Sequence, residues 1–337
     1  MKQKKSELTW LKEVNSQSLQ SALRHLDRAY TRFFRDKRDF PRFKSRHHKQ
    51  SFACPQNVKV DFHNSTIRLP KIGEVKTVFE RQFKGKIKTC TVSKTSTNKY
   101  FISILVETPE DPGLKPRVQS KTTIGIDLGI KEFAILSDKT RIENLKYLHK
   151  HEQRLKVLQR RASKKQKKSN NRRKAFLRVA RKHEQIRNQR QDFLHKVSTK
   201  LIRENQTICL EDLNVAGMIK NHKLAKSIAD VSWSTFVNFL KYKAEWYGVN
   251  LLQIGRFKAS SKTCSICGLV NSQLELKHRK WKCLSCGTTH DRDVNAAVNI
   301  KQFALQNPLK HSGTGSPGEL LESSALAGAV KEETPLL

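Results

Sequence analysis

The chain has 337 residues, with 67 Lys or Arg against 30 Asp or Glu, a formal net charge of +37. That length allows two or three domains, and so large a self-repelling charge points to a polyanion as partner, nucleic acid ahead of an anionic membrane surface. No apolar run approaches the ~18 residues of a spanning helix and the start MKQKKSELTW lacks a signal-peptide core, so a reducing cytoplasm is expected, where the seven cysteines need a reason other than disulfides.

Residues 1–49 read as mostly helical: Leu19, Leu23, Leu26, Tyr30, Phe33 and Phe34 recur at steps of three or four, among Arg24, Arg28, Arg32 and Arg35. Pro41 ends the pattern and a basic stretch, 42–49, follows. Residues 50–108 read as a small antiparallel β-domain, β-barrel-like, from runs such as VKVDF, STIRLP and YFISILVE. Residues 109–121, with three prolines, read as a linker. From 122 to 137 the pattern gives two strands joined by a short turn at 128–132. A long helical insert, 143–204, carries two apolar stripes: Leu145, Leu148, Leu155 and Leu158, then Phe176, Val179, Ile186, Phe193, Val197 and Leu201. The stretch RRASKKQKKSNNRRK, a basic joint, separates them. A buried strand at 207–210 ends at Glu211, a helix follows near 230–247 and a strand near 249–254. Residues 262–289 are cysteine-rich, 290–305 form a last helix, and the Ser-, Gly- and Pro-rich tail 306–337 is expected to be disordered.

Cys264-Ser-Ile-Cys267 and Cys283-Leu-Ser-Cys286 are two C-x-x-C pairs separated by residues 268–282. Each pair puts two thiolates on one tight turn. Gly268 and Gly287, directly after the pairs, can take the positive φ such a knuckle needs. Two facing knuckles make a four-sulfur zinc cage; a redox dithiol needs only one pair. A closed cage leaves no open position, so the zinc is expected to be structural. Lys277, His278, Arg279, Lys280, Trp281 and Lys282 lie between the knuckles, suited to phosphates or simply solvated. Cys54, Cys90 and Cys209 read as ordinary buried thiols.

In so basic a chain, acids on apolar strands stand out. Asp127 lies in Ile-Gly-Ile-Asp-Leu-Gly, between Gly125 and Gly129, which permit close approach. Glu211 follows Ile208-Cys209-Leu210, and Asp293 opens the last helix. None has an obvious cationic partner at helical spacing. Brought together, three carboxylates would repel unless cations neutralised them; such a cluster suits two Mg²⁺ ions roughly 3.5–4 Å apart. Asp291 reads as the N-cap of the last helix and Asp212 as a solvated neighbour.

GIDLGIKEFAILSD, then CLEDLNVAGM, then the double C-x-x-C running into HDRDVNAAVNI closely resemble the TnpB (OrfB) proteins of bacterial insertion sequences, relatives of the type V CRISPR effectors; the likeness runs from about residue 15 to 305. It implies an α/β fold: an RNase H-like (RuvC) nuclease domain over 122–261, with a mixed sheet flanked by helices, a zinc ribbon at 262–289 that binds target nucleic acid, and 290–305 as its final helix. It implies Asp127, Glu211 and Asp293 as catalytic acids holding Mg²⁺, Cys264, Cys267, Cys283 and Cys286 as zinc ligands, and residues 1–49 and 50–108 as recognition and wedge-like regions. The partners implied are a guide RNA from the element's own 3′ end and a double-stranded DNA target, in a prokaryotic cytoplasm. Family members usually begin with a short strand and a helix ahead of the LKEVNSQSLQ-like stretch, where this chain starts, so a shortened wedge is expected. Two other readings exist: a catalytically idle nucleic-acid-binding remnant, which the short start favours, and a ribosomal-type zinc-ribbon protein, which leaves GIDLG and DRDVNAA without a role.

Overall fold

The structure, a computed structural model, describes residues 7–37, 39–43, 50–109, 115–256, 258–275 and 277–306. Most of the basic stretch 42–49, the middle of the linker and the tail from 307 lie outside the described residues. The chain divides into two compact units. Among the described residues, one comprises those up to 109 with Phe176–Arg181, the other 115–175 and 182–306.

In the first unit, helix α1 (Ser16–Phe34) starts at Asn15, whose side chain accepts from the Gln17 amide at 3.0 Å, satisfying an orphan donor of the first turn. Its buried residues are Ser18 and Ser21 rather than the leucines. Ser18 Oγ donates to the Ala53 carbonyl at 2.7 Å, so the helix rests on strand β1 (Gln50–Cys54) through small residues. The apolar stripe read from the sequence is helical but open: Leu23 is 53% and Phe34 72% exposed.

The other strands here are β2 (Lys59–Asp61), β3 (Thr66–Leu69), β4 (Gly73–Lys76), β5 (Lys86–Lys94) and β6 (Tyr100–Glu107). They form two antiparallel sheets, ordered β1-β5-β6 and β2-β3-β4, over a core of Cys54, Ile67, Leu69 and Cys90. This corrects the barrel-like expectation: there are two open sheets among the described residues. Closing a barrel needs strands long enough to tilt and stagger around an axis, and β2 to β4 have only three or four residues.

The second unit is built on strands β7 (Thr123–Leu128), β8 (Glu132–Leu136) and β9 (Arg141–Glu143), then helices α2 (Tyr147–Ser163) and, apart from Phe176–Arg181, α3 (Asn170–Glu204). Strand β10 (Thr207–Glu211), helices α4 (Val215–Met218), α5 (Ala225–Val231) and α6 (Trp233–Trp246), and strand β11 (Asn250–Ile254) follow. Strands β12 (Lys280–Lys282) and β13 (Thr289–Asp291) form a small hairpin before helix α7 (Arg292–Gln306). The helix read near 230–247 is α6; the short α5 precedes it, and the two part at Ser232, whose φ of 58° is left-handed. The basic joint between α2 and α3 is as read; Ser169 caps α3 by accepting from Arg172 N at 3.1 Å.

The five-stranded sheet has the order β11-β10-β7-β8-β9. Strand β10 runs parallel to β7 and β11, while β8 runs antiparallel to its neighbours β7 and β9, so the sheet is mixed. Successive residues of a strand face opposite sides. Ile124, Ile126, Ile208 and Leu210 therefore turn toward Leu194 and Leu201 of α3 and Phe236 and Leu240 of α6 in the main core. The alternate residues Gly125, Asp127, Cys209 and Glu211 face the other side, where Cys209 packs with Ile300 and Ala304 of α7. Gly125 decides how close α7 comes: a Cβ there would lie 2.1 Å from the Ala297 carbonyl oxygen. No helix of the described residues is long and apolar enough to cross a membrane.

Candidate active site

The parallel register pairs Leu210 with Ile126. The next residue on each strand is Glu211 and Asp127, so the two carboxylates are neighbours on the α7 side of the sheet, at the C-terminal ends of adjacent strands. The first turn of α7 supplies Asp293. All three border one cleft of about 630 Å³, which Arg256, Lys258, Lys262, Arg279 and Arg292 also line. The structure thus brings together three acids that lie up to 166 positions apart in the chain (293 − 127).

The electrostatics follow from the crowding. Asp127 is pushed up to about 8, first by burial, then by the charges of Glu211 and Asp293, while Arg292 and Arg279 pull the other way. Such a group holds its proton near neutral pH unless a cation replaces it. By the chemistry of the donor set, three carboxylates on an open cleft fit a hard, oxygen-preferring cation such as Mg²⁺.

Each flanking acid is already held. Arg279 Nη1 lies 3.1 and 3.0 Å from the two Asp293 oxygens, and the Ser260 hydroxyl donates to Glu211 Oε1. Sequence reasoning missed both. It sought cationic partners at helical spacing, whereas Arg279 reaches Asp293 from the start of the β12–β13 hairpin. Asp291 is the helix cap expected, accepting from the amides of Asp293 and Val294 at 3.1 Å each, and it also pairs with Arg141 at 2.8 Å. Asp212 is not free in solvent: Arg256 Nε reaches it at 2.7 Å.

The four expected zinc ligands converge. The sulfurs of Cys264, Cys267, Cys283 and Cys286 all lie within 4.8 Å of one another, with Cys264–Cys286 at 3.6 Å and Cys267–Cys283 at 3.5 Å. A tetrahedral site with Zn–S bonds of ~2.3 Å needs sulfurs about 3.8 Å apart, so the cage fits a metal ion of that size. Among the described residues these cysteines alone converge so closely; the three carboxylates border the cleft more loosely.

The knuckles form as their spacing dictates. The Gly268 amide donates to the Cys264 carbonyl at 2.9 Å and the Gly287 amide to that of Cys283 at 3.0 Å, with φ of +79° and +69° at the two glycines. Cys286 is lowered to about 6, chiefly by hydrogen bonds from Thr288, which favours the thiolate a metal needs. Trp281 is buried with Leu274 beneath the cage, so the hairpin has an apolar anchor as well as its cationic residues.

Sequence reasoning also missed Asn295 and Asn299. One turn apart on α7, both are buried, and their side chains grip the backbone of the loop that carries Ser260 and Cys264. Two amides on an otherwise apolar helical face were the available signal.

The OrfB_IS605 family model, described as a probable transposase, matches residues 102–222, and the Cas12f1-like TNB domain model matches residues 233–300. A protein of Streptomyces pristinaespiralis named "Putative RNA-guided DNA endonuclease" is 41% identical over 305 residues, covering 90% of this chain and 75% of that protein. "Putative RNA-guided DNA endonuclease InsQ" of Escherichia coli (strain K12) is 37% identical over 310 residues, covering 88% of this chain and 76% of its own. Among solved structures, the Cas12f1-sgRNA-target DNA complex is similar in fold, with a TM-score of 0.52 at 15% identity, covering 80% of this chain and 67% of that one.

Proposed function

The chain belongs to the OrfB (TnpB) family of insertion-sequence proteins, and from that premise we propose that it is an RNA-guided, metal-dependent DNA endonuclease of a transposable element. The observation that carries the reading is the meeting of Asp127, Glu211 and Asp293 at one cleft bordered by six Lys and Arg side chains, Lys131 among them. Residues 122–261 with 290–305 act as the RuvC-type nuclease, 262–289 as its nucleic-acid-binding zinc ribbon, and residues 1–108 as recognition and wedge regions.

Asp127, Glu211 and Asp293 would hold magnesium, as two ions. When bound, magnesium supplies charge neutralisation and Lewis-acid activation for hydrolysis of a phosphodiester. The protein's own groups do the rest. Arg256, Lys258, Lys262 and Arg292 line the cleft and attract the phosphate backbone of the strand to be cut. Arg279, paired with Asp293, stands where it can turn from that carboxylate to an incoming phosphate. Sheet and helix fix the backbones of the three acids before substrate arrives, so little reorganisation is left for the reaction.

Cys264, Cys267, Cys283 and Cys286 would hold zinc, whose closed four-sulfur site supports the fold of the ribbon rather than the chemistry. The basic joint between α2 and α3 contacts nucleic-acid backbones. A guide transcribed from the element's own 3′ end chooses the target by base pairing, leaving the protein to recognise duplex shape and a short flanking motif.

The test is a plasmid cleavage assay with Mg²⁺, with the protein co-expressed with RNA from the 3′ end of its gene and targets carrying randomised flanks. Guide-dependent cutting that disappears in Asp127→Ala, with DNA binding largely kept, is the expected result. Cutting by Asp127→Ala at the wild-type rate would refute the assignment of the acids, and binding without cutting by the wild type would favour the idle remnant.

A further inference from the structure

We propose that Ser260 is a positioning residue for Glu211, held for that task by two buried amides of the helix that carries Asp293. The inference rests on the reading of Glu211 as a metal-binding carboxylate. Ser260 is only 6% exposed, in the loop between β11 and the first cysteine knuckle, and its hydroxyl donates to Glu211 Oε1. A carboxylate on a flexible side chain can rotate through many arrangements. A donor on one oxygen restricts that rotation and leaves the second oxygen free for a cation.

Ser260 is itself clamped. Its carbonyl accepts from Asn299 Nδ2 at 2.7 Å, and the same nitrogen lies 2.6 Å from the Thr263 carbonyl. Asn295 Nδ2 donates to Thr263 O at 2.7 Å, and Asn295 Oδ1 accepts from the Ser265 amide at 3.0 Å. Thr263 closes the turn from within, its amide and hydroxyl donating to the Ala259 carbonyl at 3.0 and 2.8 Å.

Asn295 and Asn299 are 2% and 1% exposed. Burying an amide is costly unless it is hydrogen-bonded. Packing of α7 on the sheet does not call for them, since Ala297, Ile300 and Ala304 serve that purpose. Both amides instead fix one loop. The helix that supplies the third acid at its first turn thereby sets the second acid, two and six positions further along. The hydroxyl is the last link in that chain, and its removal frees Glu211 without touching the zinc cage.

The experiment uses the full chain freed of nucleic acid, titrated with Mn²⁺ by the electron paramagnetic resonance signal of the free ion. Single-turnover cleavage by the RNA-loaded protein across Mg²⁺ concentrations accompanies it. In Ser260→Ala, Mn²⁺ half-saturation and the Mg²⁺ concentration for half-maximal cleavage both rise about tenfold, the loss typical of an outer hydrogen bond to a metal ligand. Zinc content and target binding stay at wild-type levels. Ser260→Cys, similar in size but a weak donor, shows the same loss, and Ser260→Thr, which keeps the hydroxyl, restores both values to within about twofold. Wild-type curves for Ser260→Ala beside a Glu211→Gln variant that has lost Mn²⁺ binding and cleavage overturn the proposal and leave the site reading intact. Glu211→Gln that binds Mn²⁺ and cleaves as wild type overturns the site reading, and the proposal with it.

Discussion

Asp127 sits on a central strand with Glu211 beside it and Asp293 across from it, and its carboxyl is pushed up to about 8. The shift has a consequence for the metal-free protein. Below the ordinary carboxylate value of 3.8 the group is protonated folded and unfolded alike, and costs nothing. As pH rises from there toward 8, the unfolded chain ionises while the folded one keeps its proton, so stability falls through that window and levels off above it. Thermal melts in chelator at several pH values are expected to show this decline. Asp127→Asn flattens it, and Mg²⁺ in the wild type opposes it at the alkaline end. A wild-type melting curve that rises between pH 5 and 8 more steeply than that of Asp127→Asn contradicts the account.

At the level of elements, two contacts set the site: α7 against β7, and the cysteine knuckles against α7. The first depends on Gly125. Its missing side chain is what lets the Ala297 carbonyl and the Lys301 backbone lie against the strand. Gly125→Ala forces a methyl group into backbone on a helix that cannot easily shift. The expected loss is about 1–3 kcal/mol in urea unfolding, with cleavage falling further than stability because α7 carries Asp293. The second contact is built on the cage. Removing one sulfur by Cys264→Ser is expected to cost the zinc, measured by metal analysis, and to melt the ribbon first. Arg279, between the knuckles, and Ser260, just ahead of the first, then lose their grip on Asp293 and Glu211. A folded, zinc-free, fully active Cys264→Ser protein would falsify this.

Across the whole molecule the dominant fact is +37 of net charge. Binding to nucleic acid should weaken steeply with salt, as the logarithm of affinity falls by about 0.9 per logarithm of salt for each phosphate neutralised on duplex DNA. Replacing Arg160, Arg161, Lys164 and Lys165 of the basic joint with Gln is expected to lower that slope by roughly one for each residue that contacts a phosphate. Filter binding from low to physiological salt measures it, and an unchanged slope would remove the joint from the interface. The open apolar stripe of α1 is a second large-scale feature; Phe40 packs edge-on against Tyr30 and Phe33 at its C-terminal end, while Leu23, Leu26 and Phe34 stay at least half exposed.

Much of this was legible in the sequence because the signals are local. A C-x-x-C pair followed by glycine makes its own turn, so Gly268 and Gly287 take the positive φ their positions demand. Short apolar runs mark the strands that carry Asp127 and Glu211, and a polar break separates α2 from α3. An Asp directly ahead of the last helix marks Asp291 as its cap. What the sequence could not give is distance between strangers in the chain. Arg279 meets Asp293, Ser260 meets Glu211, and Asn299 meets Ser260 only once the sheet order, the approach of α7 over Gly125 and the folding of the knuckles are in place. Such pairings carry no period and no spacing, because they arise where separate elements pack. Local chemistry chose the elements and the candidate acids, and tertiary packing decided which neighbours hold those acids.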